Sequence, residues 1–199
     1  CEGQIVWAND NCTVYYVRKD PQTLLGYQVF RHRLGTSQQQ DELVYEEHDR
    51  SFYMGLGKSR DESLIFIDLE ATETSHTYVL DANDAHAQAI ELLPRTTGHL
   101  YDVDKLADTF YIVSNWQAKN FRLLQANTQT IASMSEWREV IAHRDDVLLE
   151  SVELFDTFWL VTERELGQIR FVVYQHSNGQ VQGEGQVLSF DDPCYFAGV

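Results

Sequence analysis

Ser59 lies in Gly57-Lys58-Ser59-Arg60-Asp61, the string nearest to the Gly-x-Ser-x-Gly elbow that exposes a serine nucleophile at a strand-to-helix turn. Its fifth position is Asp where the elbow needs Gly. The alternating run Tyr53–Lys58 before it predicts a hairpin, so Ser59 is expected to sit in a turn rather than act as a nucleophile. Histidine could supply a base or hold a metal. The seven histidines, at 32, 48, 76, 86, 99, 143 and 176, include no i, i+4 pair and no His-Glu-x-x-His. They are expected at the surface and at strand edges. Asp145-Asp146 and Asp191-Asp192 are adjacent pairs, and adjacent strand residues face opposite sides, so they are expected to cap turns rather than share a proton. A glycosidase would need two carboxylates about 5–9.5 Å apart across a sugar, but 199 residues are short for a five-bladed enzyme of that kind. Cys1, Cys12 and Cys194 are too few and too scattered for a disulfide framework or a zinc site and are read as reduced thiols. Neither Gly-x-Gly-x-x-Gly nor a P-loop occurs. The expectation is therefore no catalytic residue, no cofactor-binding residue, no metal ligand and no cofactor.

Composition narrows the class. Asp plus Glu number 31 against 15 Lys plus Arg, a net charge of −16, with 43% hydrophobic and 12% aromatic residues. That apolar content excludes disorder. The acidic balance argues against a nucleic-acid partner, which needs basic side chains for its phosphates, and suits cationic ligands. No run approaches the roughly 20 apolar residues of a membrane span, so no membrane partner is expected. The start, Cys-Glu-Gly-Gln-Ile-Val-Trp, shows neither the basic nor the apolar segment of a signal peptide. A bacterial cytoplasmic location is expected, with the periplasm as the alternative. Arg18, Lys19, Arg31 and Arg33 gather four of the fifteen basic residues in one segment. They are expected either to meet a neighbouring domain or to pair locally with Glu42, Glu46 and Glu47.

The elements that must position these groups are short, β-branched and aromatic runs separated by polar turns. Val14–Arg18, Leu64–Asp68, Thr109–Ser114 and Phe158–Thr162 each follow an acidic turn. A second run follows each, at Tyr27–His32, Thr77–Leu80, Phe121–Ala126 and Ile169–Tyr174. A third, weaker run comes next, at Glu42–Glu46, Ala87–Leu92, Trp137–Ile141 and Gly185–Phe190. Leading runs start near Ile5, Phe52, Leu100, Leu149 and Tyr195, a spacing of 46 to 49 residues. This is a four-strand unit repeated four times with the first strand of a fifth, and stacked units of that kind build β-propellers. Segments 84–93 and 133–143 also carry helical periodicity, and the repeat register assigns them to outer strands. The fold expected is all-β, a β-propeller fragment of about four four-stranded antiparallel blades, at 4–47, 52–94, 99–144 and 148–191, plus the start of another at 194–199. Trp7 and Trp159 are expected to pack between blades, and Trp116 to lie in a polar loop.

Tyr15–Thr36 (YYVRKDPQTLLGYQVFRHRLGT) and Asp41–Glu47 (DELVYEE) resemble the oligopeptidase B branch of the prolyl oligopeptidase family of serine peptidases. The resemblance continues through Phe52–Lys58, Ile65–Ser75, Ser114–Phe121, His143–Phe155 and Phe190–Tyr195, and so covers nearly the whole chain in order. It implies a seven-bladed propeller capping an α/β-hydrolase domain with a Ser, Asp, His triad, which cuts short peptides after Arg or Lys. This chain would be the middle of that propeller. No segment resembles the catalytic domain, so no triad residue is carried over.

The function expected is therefore part of a propeller lid that gates substrate access and is non-catalytic by itself. Its expected partners are the catalytic α/β-hydrolase domain of the same parent chain and, for the parent, basic oligopeptides. The isolated piece is expected to self-associate through apolar faces that missing blades would cover. The alternative is an autonomous small propeller, closed by its C-terminal strand, that binds a peptide or small ligand.

Overall fold

The computed structural model describes residues 4–177 and 179–191. Apart from two short 3-10 turns, at Gln38–Gln40 and Met134–Glu136, the described elements are strands. The first sheet is an antiparallel meander of β1 (Ile5–Trp7), β2 (Thr13–Lys19), β3 (Gly26–Arg33) and β4 (Glu42–Glu46). The second repeats it with β5 (Tyr53–Lys58), β6 (Leu64–Ala71), β7 (Thr74–Asp81) and β8 (Ile90–Glu91). The third comprises β9 (Tyr101–Leu106), β10 (Thr109–Ser114), β11 (Arg122–Asn127) and β12 (Arg138–Ile141). In the fourth, β13 (Val147–Leu154), β14 (Phe158–Glu165) and β15 (Gln168–Ser177) are long. Two short pieces, β16 (Gln180–Val181) and β17 (Gln186–Val187), share the outer edge of β15. The all-β expectation of successive four-stranded antiparallel sheets is met.

The chain divides into two compact units, Cys1–Gly98 and His99–Val199. In the first unit, Tyr15, Val17 and Val29 from the first sheet and Leu56, Ile65, Ile67 and Leu80 from the second form one core. Alternation explains the selection: every second residue of a strand points to the same side. Backbone and amide bonds stitch the two sheets together. The Asn9 amide donates to the Ala82 carbonyl at 2.7 Å, and the Leu56 amide donates to the Gln4 side chain. In the second unit, Tyr111, Val113 and Leu123 of the third sheet pack with Leu149, Leu154, Trp159, Val161 and Val172 of the fourth.

Segments 84–93 and 133–143 form outer strands, as the repeat register assigns them, but short ones. The helical periodicity of 84–93 yields only a turn, in which Asp84 accepts the His86 amide, and the two-residue β8. That of 133–143 yields one 3-10 turn and then β12; Ser133 makes no side-chain cap bond. The run at 185–190 is not one strand: only Gln186 and Val187 pair there, behind a bend at Gly183 (φ 77°). The further strand expected at 194–199, with Asp192, lies outside the described residues.

Candidate functional site

Ser59 follows β5 at the hairpin to β6 and is 2% exposed. Its hydroxyl donates to Asp61 Oδ1 at 2.8 Å and accepts the Leu64 amide at 2.9 Å. Asp61 also accepts the amide and hydroxyl of Ser63. The serine of the Gly-x-Ser-like string is thus engaged in closing a turn, as its residue pattern predicts. Asp10 does the same work between β1 and β2, accepting the amides of Cys12 and Thr13; these bonds hold its carboxyl below the usual range.

The histidines depart from expectation. His76, His99 and His176 are buried rather than superficial. Each has aromatic neighbours in space, which a linear search for metal spacings does not detect. His99 Nε2 is 2.9 Å from the hydroxyl of Ser114, which also accepts the Trp116 amide. The rings of Tyr101, Trp116 and Trp137 surround it, with centroids 4.8 to 6.3 Å away. A serine at hydrogen-bond distance from a histidine has the spacing of a nucleophile and its base. Ser114, however, is fully buried, so no substrate reaches it, and burial pushes the His99 pKa down. His176 donates through Nε2 to the Phe155 carbonyl, 2.8 Å away, and stacks on Trp159 at 4.5 Å. On the first sheet, His32 Nδ1 is 2.6 Å from Asp41, whose second oxygen accepts the Tyr16 hydroxyl. These three line a recess of about 370 Å³ with Ile5 and Val14. Among the described residues no three His, Cys, Asp or Glu side chains converge as a metal site.

Two ionic clusters, each built around a buried carboxylate and one in each unit, were not singled out from sequence. In the first, Arg95 donates to Glu47 at 2.5 Å and, through Nε, to His76 Nδ1 at 3.2 Å. His76 Nε2 faces Glu91 at 2.8 Å, and the Arg95 guanidinium covers the Phe52 ring at 4.2 Å. Burial would raise the Glu47 carboxyl, but bonds from Arg95, the Asp49 amide and the Tyr45 hydroxyl outweigh it and hold it low. In the second unit, fully buried Glu163 is bonded by Arg144 and by Arg170, which also reaches Glu165. Burial disfavours the Arg170 cation, yet the Glu163 bond raises its pKa overall. The only sequence signal for either cluster is a charged residue at a core position of the repeat.

The basic segment disperses. Arg31 pairs with Glu42, as one of the two sequence readings has it, and Arg18 lies over Phe30. Glu46 instead accepts from Gln28, and Glu47 belongs to Arg95. Trp159 is fully buried, but Trp7 is 47% exposed, contrary to expectation. It shares with Ile5, Val14, Tyr16, Phe30 and Leu43 the face of the first sheet opposite its core. Asp145 is exposed and 3.9 Å from His143, and its carbonyl accepts the Asn120 side chain.

The family model for the N-terminal β-propeller domain of prolyl oligopeptidases matches residues 1–199. The chain is 40% identical over 191 residues to dipeptidyl aminopeptidase BI of Pseudoxanthomonas mexicana, covering 94% of this chain and 26% of that protein. It is 29% identical to protease 2 of Moraxella lacunata, over 99% of this chain and 27% of that one. The structure of oligopeptidase B from Leishmania major superposes with a TM-score of 0.87 at 28% identity, covering 96% of this chain and 27% of that chain. The chain therefore spans about a quarter of the length of the curated relatives it matches.

Proposed function

The chain belongs to the prolyl oligopeptidase family, within its N-terminal β-propeller domain, and from that premise we propose that it serves as part of the lid of a serine oligopeptidase. The proposed parent cleaves short peptides after Arg or Lys, and this portion contributes no catalytic residue. The observation that carries the reading is the likeness, along nearly the whole chain, to oligopeptidase B. The burial of both Ser59 and Ser114 supports a non-catalytic role.

A lid acts by gating: it keeps water and large folded substrates from the site and admits short peptides. Its partner would be an α/β-hydrolase domain in the same parent chain. A charge of −16 draws cationic peptides by long-range steering that weakens with salt. In the isolated chain, the apolar face of the first sheet would seek another surface, so self-association is part of the proposal. A cytoplasmic location remains the proposed one.

One comparison favours a second reading. The relative at 40% identity is named a dipeptidyl aminopeptidase, so the parent would release dipeptides from free N-termini. One assay separates the readings. The chain alone and the gene-length protein are offered internally basic peptides, with blocked or free N-termini, and a folded protein. The expected result is no turnover by the chain alone, cleavage after Arg or Lys by the whole protein, and a kcat/KM that falls as salt rises. Dipeptide release confined to free N-termini supports the second reading. Folded protein cut as fast as short peptides removes the lid.

A further inference from the structure

His76 lies in β7 with its ring 2% exposed, and groups of opposite charge flank its two nitrogens. Glu91 of β8 stands 2.8 Å from Nε2, and Arg95 Nε, from the segment after β8, stands 3.2 Å from Nδ1. A guanidinium N–H can only donate, so Nδ1 must present its lone pair and the ring proton must sit on Nε2, toward Glu91. The imidazole is neutral in this arrangement. Arg95 continues to Glu47, the residue after β4, which also accepts the Tyr45 hydroxyl and the Asp49 amide. The Tyr78 ring stands edge-on to the imidazole at 4.8 Å. One imidazole thus connects β7, β8 and the two segments that follow the first and second sheets.

We propose that His76 is a proton-operated latch on the joint between the first and second sheets. Protonating Nδ1 turns an acceptor into a donor facing a donor and puts a cation beside the Arg95 guanidinium. Arg95 is then expelled from the ring, while the imidazolium tightens on Glu91. Losing that hold frees Arg95, and with it the bond that ties Glu47 across the joint.

The sign follows from the groups that face the ring. Burial is the largest influence and disfavours the imidazolium. The Glu91 bond opposes burial, the Arg95 charge adds to it, and the Glu91 and Glu47 charges oppose it; the balance holds the folded pKa below 6.5. The unfolded chain therefore binds this proton more readily. Stability is unaffected by the group well above pH 6.5 and falls as pH drops from there toward the folded pKa.

The test is a nitrogen-15 titration of the histidine-labelled protein, with His76→Gln identifying the resonance. At pH 7.5 the expected state is Nε2 protonated and Nδ1 bare, with Nδ1 titrating below pH 6.5. In step with that titration, amide exchange in residues 45–53 and 92–97 should speed up by about tenfold or more, the scale of a local opening. His76→Gln, which does not titrate, should lose this acid response. Glu91→Gln, at a half-exposed position, should move the midpoint lower and keeps the question answerable if His76→Gln does not fold. A protonated Nδ1 at neutral pH, a midpoint at or above 6.5, or an unchanged acid response in His76→Gln would overturn the latch.

Discussion

Glu163 is a carboxylate placed where the second sheet uses a hydrocarbon. The pairs Ala71 with Thr74 and Glu165 with Gln168 close equivalent hairpins. Counting back from each, Leu69 and Glu163 occupy the same position, opposite His76 and Arg170 respectively. Leu69 needs nothing but packing. Glu163, fully buried, is tolerable only because two guanidinium groups meet it. The arginines are a quarter to a third exposed and can turn toward water, whereas the carboxylate cannot. Replacing Arg144 and Arg170 together by Met should therefore cost about 3–5 kcal/mol in urea unfolding, the penalty for an uncompensated buried charge. Glu163→Leu should cost under about 1.5 kcal/mol, because it removes the buried charge itself. Equal losses in the two variants would mean that the cluster acts through packing and not charge.

Hairpin turns set the register of these sheets, and not all of them use residues suited to their backbone. The two-residue turn between β14 and β15 is Leu166-Gly167, with φ of 51° and 82°. Both values are left-handed, which Gly tolerates and a side chain such as Leu resists by about 1–2 kcal/mol. Leu166 is 95% exposed, so no packing compensates. Leu166→Asn should raise stability by about 1 kcal/mol, read as a higher urea midpoint with an unchanged slope. A lower midpoint would show that the left-handed backbone at Leu166 is not a source of strain. The same scale separates what sequence reveals from what it hides. Thr109–Ser114 is legible to the residue, because six consecutive β-branched, aromatic or small residues lie between polar turns. The strand at 185–190 is not, because an outer strand gains little from burial, Gly183 bends the chain and Gly185 lies close against Val172 and Tyr174.

For the molecule as a whole, the first sheet raises the question of what lies against it. Cross-strand partners place Ile5, Tyr16, Phe30 and Leu43 in one row and Trp7, Val14 and His32 in the next. Ile5, Trp7 and Leu43 are exposed, although the opposite face of the same sheet is buried in a core. Contiguous apolar surface of this kind favours association with another surface. The isolated chain should therefore associate, and Trp7→Lys with Leu43→Lys should return it toward the monomer without altering its circular dichroism. Light scattering over a concentration series measures both. A monomeric wild-type chain at the highest concentrations would remove the self-association proposal.

The amino-acid sequence by itself determined the strands other than the divided one at 185–190, and their repeat, because alternation and turn chemistry are local and recur every 46 to 49 residues. It also determined that Ser59 closes a turn, since Asp61 stands two residues away and a hairpin precedes it. The burial of His76, His99 and His176 was decided only by tertiary structure. Each ring bonds through nitrogen to residues 15 to 21 positions distant, namely Glu91, Arg95, Ser114 and Phe155, and no local spacing announces such contacts. The exposure of Trp7 was decided there too. Alternation says that two faces of a strand differ, and only the neighbouring sheet decides which of two apolar faces it covers.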